Sequence, residues 1–276
     1  MMDDIATVNG VSRARRRQAR RTISTVGPAR ERALASAVLY RMLALAFSNP
    51  EPELVRSVIR ECGGLKIAVA RGALPAHFAR TLKEVVREWR AVTTEQLTAE
   101  YSRLFLGAGL VPLREGGFGD GLRFAGQPVD IADVSGFYLA FGFVLPASAA
   151  SPPDHLGTEL EFMSLLHLKM ALALQRGRLE HVRITRSAMA HFLKDHLGRW
   201  AQPFEAALAC SGARPAYRAM ARLLARTVEE DCACLKVRPP KARAGSSADP
   251  VASERFLCPF SGHADSRANA LREDPN

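Results

Sequence analysis

Along most of this chain apolar residues recur every three or four positions, and nowhere do they alternate with polar ones at period two. A half-buried strand needs that alternation, whereas a helix with one buried face needs the longer period. The pattern predicts an all-α fold, a single-domain helical bundle whose core is built from helix faces. From Arg30 to about Asn49, Leu34, Val38, Met42 and Leu45 form one stripe and Tyr40, Leu43 and Phe47 another, which predicts a central helix. Asn49-Pro50-Glu51-Pro52 breaks it and starts a second helix through Leu54, Val55, Val58 and Ile59, which Gly63-Gly64 is expected to stop. A third helix, from about Pro75 to Ala91, aligns Phe78, Leu82, Val85 and Trp89. Thr93-x-x-Gln96 is a capping box ahead of Leu97, Tyr101, Leu104 and Phe105, and Gly107 ends that helix. Further helices are predicted over 129–141, 155–176 and 180–198, with a restart at Pro203 and a last helix over 214–235.

The net charge of +10 is unevenly spread. Residues 1–32 hold eight Arg against three acids, while the long middle section is close to neutral. Together with the periodicity, this predicts a disordered basic arm over 1–29, a helical domain over 30–238 and a mobile tail over 239–276 that carries Cys258. No apolar run approaches the roughly 18–20 residues of a membrane span. The adjacent arginines of the arm mimic a twin-arginine export motif, but Thr22-Ile23-Ser24-Thr25-Val26-Gly27-Pro28 is too short and polar for an apolar leader core. A cytoplasmic protein is expected.

Chemistry-bearing motifs are sparse. Gly116-Gly117-Phe118-Gly119-Asp120-Gly121 lacks both the dinucleotide-binding spacing and the Lys-Ser/Thr of a phosphate loop, and reads as a flexible loop within 107–128. There is no HExxH, and His191 and His196, five apart, point about 140° from each other on a helix. His167 and His196 read as core histidines satisfied by hydrogen bonds. There is no GxSxG elbow and no cysteine with a base placed by spacing, so a hydrolase reading has little support. Cys232-Ala233-Cys234, with Cys258 and either Cys210 or His263, could supply soft ligands for zinc or an iron–sulfur cluster, which leaves a metal-binding redox protein as one alternative. That spacing matches no standard site, so free thiols and no cofactor are the expectation. A nucleic-acid-binding protein that uses the arginine arm is the other alternative, against which the near-neutral middle argues; no nucleic acid partner is expected.

The run Pro152-Pro153-Asp154-His155-Leu156 opens the longest apolar helix. Asp154 is in the position of an N-cap, Glu159 and Glu161 add acid to the first turns, and Leu156, Leu160, Met163, His167, Met170 and Leu174 mark one face. An acidic mouth above an apolar groove would suit a ligand basic at one end and apolar at the other.

The stretch SPPDHLGTELEFMSLL over 151–166 resembles the signature of the TorD/DmsD family of redox-enzyme maturation chaperones, which is related to NarJ. Three other pieces resemble the family in the same order: EYSRLFLGAGLVPLREG over 100–116, VSGFYLAFGF over 134–143 and HFLKDHLGRWAQPF over 191–204. Together they span about 31–235. The resemblance implies an all-helical, non-enzymatic chaperone. Such a protein would bind the twin-arginine signal peptide and apoprotein of a molybdopterin oxidoreductase catalytic subunit, assist cofactor insertion and delay export. It would touch the membrane or export machinery only in passing, and would be a monomer or a dimer that exchanges helices. By position, the family's peptide-binding surface falls on Tyr101, Leu104, Phe105, Pro112, Asp154 and His155; charge alone adds Glu159. Pro112-Leu113-Arg114-Glu115-Gly116-Gly117-Phe118 departs from the family loop, which often reads Pro-x-x-x-Ser-x-Tyr.

Overall fold

A computed structural model describes residues 26–107, 109–118, 127–145 and 152–240. These residues form nine α-helices and one 3-10 turn, with no strand among them, as the periodicity predicts. The helices are α1 (26–46), α2 (Pro52–Ala70), α3 (Phe78–Arg90), α4 (Thr94–Phe105), α5 (Gln127–Ala140), α6 (Leu156–Gln175), α7 (Leu179–Asp195), α8 (Leu197–Cys210) and α9 (Pro215–Leu235). The 3-10 turn, Glu115–Phe118, lies between α4 and α5. All the described residues belong to one compact unit. Most of the predicted basic arm and tail, including Cys258 and His263, lies outside them, as does Gly119-Asp120-Gly121.

Helix α1 is central, and of its two predicted stripes the second, Tyr40, Leu43 and Phe47, is wholly buried, whereas the first is buried only toward its C-terminal end, at Met42. Leu34 and Val38 are 40% and 37% exposed, while Ala33, Ala35, Ala37, Leu39, Tyr40, Met42 and Leu43 are buried. Its inner face is lined with alanine, so small residues that carry little hydropathy signal mark where α1 touches its neighbours. Helix α2 runs straight through Gly63-Gly64. Two mid-helix glycines cost about 1 kcal/mol each relative to alanine, and both are exposed with nothing near them. Val55, Val58, Cys62 and Leu65 are buried around them, and that packing outweighs the local propensity. The helix ends instead before Gly72, which adopts φ +74. Helix α4 starts as predicted: Thr93 Oγ1 accepts from Gln96 N–H at 3.3 Å and Gln96 Oε1 accepts from Thr93 N–H at 3.1 Å.

The predicted helix over 180–198 is broken. His196 has φ −127 and ψ −106, separating α7 from α8, and Pro203 lies inside α8 rather than at a restart. The elbow needs a glycine next to it: a Cβ at Gly198 would stand 2.7 Å from Pro239 and would collide with the Leu193 carbonyl. A buried aromatic cluster lies beneath the elbow. Trp200 stacks on Phe118 at 5.5 Å and meets Phe204 edge-on at 5.9 Å, while Phe192 meets Phe162 at 4.8 Å. Each such side chain contributes roughly 1.5–3 kcal/mol by burial, and edge-to-face pairs add about 0.5–1.5.

Candidate functional site

The segment after α4 is held at both ends. Val111 N–H donates to the Leu104 carbonyl at 2.9 Å, closing the chain back onto the end of α4. Gly109 permits this approach, because a Cβ there would lie 2.7 Å from the Leu104 oxygen. Further along, Leu156 N–H donates to the Leu113 carbonyl at 2.8 Å and Glu115 N–H to the Asp154 carbonyl at 3.0 Å, flanking an antiparallel bridge between Arg114 and His155. The loop and the start of α6 therefore form one unit. Tyr138 ties α5 to it, donating to the Pro153 carbonyl at 2.8 Å.

The cap of α6 is His155 and not Asp154: His155 Nδ1 accepts from Gly157 N–H at 3.1 Å. Burial, helped by the charge of Arg114 and opposed by Asp154, lowers the His155 pKa, so the neutral ring keeps Nδ1 free to accept. Asp154 is buried and engaged elsewhere. Arg114 Nε reaches its two oxygens at 3.1 and 3.2 Å, and the guanidinium's outer nitrogen lies 3.0 Å from Oδ1. A two-pronged clasp of this kind is the strong form of the carboxylate–guanidinium bond. Sequence reasoning missed it because Arg114 is forty residues away and lies where the family loop differs.

Glu159 is also interior, with no exposed surface. Its Oε2 accepts from Trp200 Nε1 at 3.1 Å, and its Oε1 has no hydrogen-bond partner among the described residues. Burial first, then the nearby charges of Glu115 and Asp154, hold its pKa well above the usual carboxylate range despite the Trp200 bond. His196, at the α7–α8 elbow, bridges Glu115 Oε2 at 3.1 Å and Asp133 Oδ2 at 3.2 Å. Burial disfavours its charged ring, but the two carboxylates outweigh that and raise its pKa. The expectation that His167 and His196 are core histidines with hydrogen-bond partners holds for both, His167 Nε2 lying 2.8 Å from Asp231 Oδ2.

Of the seven predicted site residues, Tyr101, Leu104, Asp154 and Glu159 are buried, Phe105 and His155 are half-buried, and Pro112 is exposed. The structure joins the 104–113 segment to 154–156 through backbone bonds. It does not open an acidic mouth there: Asp154 is clasped, Glu159 is interior, and only Glu161 faces outward. The apolar face expected of α6 is likewise core, with Leu156, Leu160, Met163 and His167 buried. Besides Arg114, the loop exposes apolar side chains: Leu106 at 52% and Leu110 at 54%, with Pro112 and half-buried Phe105. A separate open groove of about 830 Å³ runs between α5 and α7, with Phe137, Phe141, Ile184 and Ala188 in its walls. Asp133 belongs to both that groove and the His196 network.

No group of three or more His, Cys, Asp or Glu able to hold a metal ion occurs among the described residues. Cys232 is buried and Cys234 exposed, and burial first, then neighbouring acids, raises both thiol pKa values. No helix among the described residues is long and apolar enough to cross a membrane.

Residues 72–206 match the family model described as nitrate reductase delta subunit. No curated protein sequence matches the chain significantly. Among solved structures, the chain is similar to a proposed redox enzyme maturation protein from Archaeoglobus fulgidus, at 20% identity and a TM-score of 0.43, over 70% of this chain and 93% of that one. The matched region runs from Gly72 through α8 and takes in the loop, the start of α6 and the His196 elbow. Over 72–206 the chain is thus similar to the nitrate reductase delta subunit family, in accord with the resemblance of its motifs to redox-enzyme maturation chaperones.

Proposed function

We propose that this protein is a cytoplasmic chaperone that holds the twin-arginine signal peptide and apoprotein of a molybdopterin oxidoreductase catalytic subunit, shielding it until its cofactor is inserted and delaying its export. The observation that carries the reading is the exposed apolar ledge of Leu106, Leu110 and Pro112 around Phe105, on a loop anchored at both ends. Fixed apolar side chains in water suit a partner that covers them. The apolar stretch of a signal peptide lies along this ledge; Tyr101 and Leu104, buried beneath it, support the ledge from inside, and Asp154 and His155 hold the loop to the start of α6. Fully burying a few leucine-sized side chains contributes roughly 1.5–3 kcal/mol each. Ordering a disordered peptide costs about 2–5 kcal/mol or more. A net value near −8 kcal/mol, about micromolar, is reached when roughly four or more such side chains are buried.

The charge arrangement refines the role of the carboxylates. Arg114 already occupies Asp154, so a peptide arginine reaches that oxygen pair only by displacing Arg114. Glu159, wholly interior, supports the start of α6 and makes no contact with the peptide. The test is calorimetric titration of a twin-arginine signal peptide into the full chain. Leu106→Ser with Leu110→Ser is expected to weaken binding at least tenfold without moving the melting temperature. Unchanged affinity in that variant would show that the ledge is not the peptide's bed.

A further inference from the structure

We infer that the antiparallel pair α3 and α9 presents a cationic docking face for an acidic segment of another polypeptide, separate from the apolar ledge. Arg80, Lys83, Arg87 and Arg90 recur on α3 at spacings of three, four and three, and all four are exposed. On a helix that spacing makes one straight ridge. It lies opposite Phe78, Leu82, Val85 and Trp89, which are all buried. Arg218, Arg222 and Arg226 recur at every fourth residue along one side of α9. That side faces α3: Trp89 Nε1 donates to the Ala216 carbonyl at 3.2 Å, and Arg222 bonds Glu84 at 2.5 Å.

The two ridges together carry seven cations. The acids of the same α3 stretch are already engaged, Glu84 by Arg222 and Glu88 by Arg87. Glu230 lies at the end of the seam beside His77, 3.8 Å away. The face is therefore left with a surplus of guanidinium donors, and the Nε of Arg218 is buried with no hydrogen-bond partner among the described residues.

The chemistry of the face selects its partner. Six of the seven cations are arginine, whose planar fork suits a carboxylate, and two of them, Arg222 and Arg87, already hold glutamates there. None of the exposed large apolar residues lies on α3 or α9. The face thus offers no wedge for a lipid surface and no aromatic platform on which bases could stack. The axes of two packed helices lie about 8–10 Å apart, so one acidic helix or extended segment can run along both ridges, whereas a nucleic-acid duplex, itself convex, would touch them along a single row of phosphates.

The probe is poly-L-glutamate, titrated against the full chain at two salt concentrations. To silence the N-terminal arginines, Arg13, Arg15, Arg16, Arg17, Arg20 and Arg21 are changed to Gln in every protein compared. Against that background, Arg80→Gln, Lys83→Gln and Arg90→Gln together are expected to weaken polyglutamate binding about tenfold and to flatten its salt dependence. The same triple variant should bind the twin-arginine signal peptide unchanged, so the two surfaces stand or fall separately. Unaltered polyglutamate binding in the triple variant overturns the inference. So does tighter, equally variant-sensitive binding of double-stranded DNA or of phosphatidylglycerol vesicles, which would make the face one for nucleic acid or for membrane.

Discussion

His167 and His196 both lie inside the bundle against a carboxylate, yet their surroundings are built on opposite principles. At His167 the acceptors are outnumbered: Asp231 Oδ2 alone takes the Tyr40 hydroxyl at 2.9 Å and His167 Nε2 at 2.8 Å, with the two rings stacked at 5.3 Å. At His196 the carboxylates outnumber the donors. Glu115, Asp133 and Glu159 share His196 and Trp200, and one Glu159 oxygen is left over. A cluster rich in donors can close on a single charge and lock its helices, here α1, α6 and α9. In the second cluster Glu159 is wholly interior, and burial holds its pKa high. The second arrangement lies directly behind the loop of the proposed peptide site, so stability there is tied to pH.

The largest effect is expected at the first cluster. Asp231→Ala leaves two buried donors unpaired and should lower unfolding stability by about 3 kcal/mol, measured by urea denaturation. A double-mutant cycle with Tyr40→Phe should show coupling between the two sites. A loss under about 1 kcal/mol would mean that packing alone holds these helices.

The contrast with the second cluster appears as a pH slope. Because the folded pKa of Glu159 is raised, its contribution is complete below the unfolded value near 4.5 and is lost as pH rises through the folded value. His196, also raised, adds the same sign above its unfolded value near 6.5. His155 is lowered, so its contribution is present above that same unfolded value and is lost as pH falls through its folded value. Between about pH 6.5 and 8, then, His155 is silent and wild-type stability should fall with pH. For Glu159 the decline is at most about 1.4 kcal/mol per pH unit. Glu159→Gln, which copies the protonated acid, should show a visibly shallower decline over that range; a parallel slope would mean that Glu159 is ionised in the fold.

Smaller again is the clasp. Arg114→Ala should cost about 1 kcal/mol, since the guanidinium is half exposed and partly screened. Its clearer signature is faster amide exchange at Glu115 and Leu156, whose N–H groups join the loop to α6. Unchanged exchange would show that the backbone bonds hold without it. Smallest is Leu110→Ser, a surface change expected to stay within about 0.5 kcal/mol of wild-type stability, measured by thermal melting; a larger loss would make Leu110 part of the core.

The helical character of the chain was legible because period and capping are local signals: Phe78, Leu82, Val85 and Trp89 are all buried, and Thr93 and Gln96 cap each other as their spacing implies. The misreadings share one cause, long-range contact outweighing local preference. Gly63-Gly64 looks like a stop, but Cys62 and Leu65 on either side are interior. Nothing local foretells a break at His196; it becomes intelligible only once Glu115 and Asp133, distant in sequence, are seen to meet the ring. The same holds for the site. The joining of the loop to 154–156 follows the order of the motifs, whereas the fate of the two carboxylates depended on Arg114 and Trp200, which spacing does not connect to them.

The tight fit at Gly198 has a practical corollary. Since Pro239 occupies the space a side chain at 198 would need, the chain that follows α9 departs across the α7–α8 junction. A fluorophore attached at Pro240 would therefore report on rearrangement of that junction. Filling position 198 would disturb the elbow as well as the departing chain, because a side chain there also meets the Leu193 carbonyl.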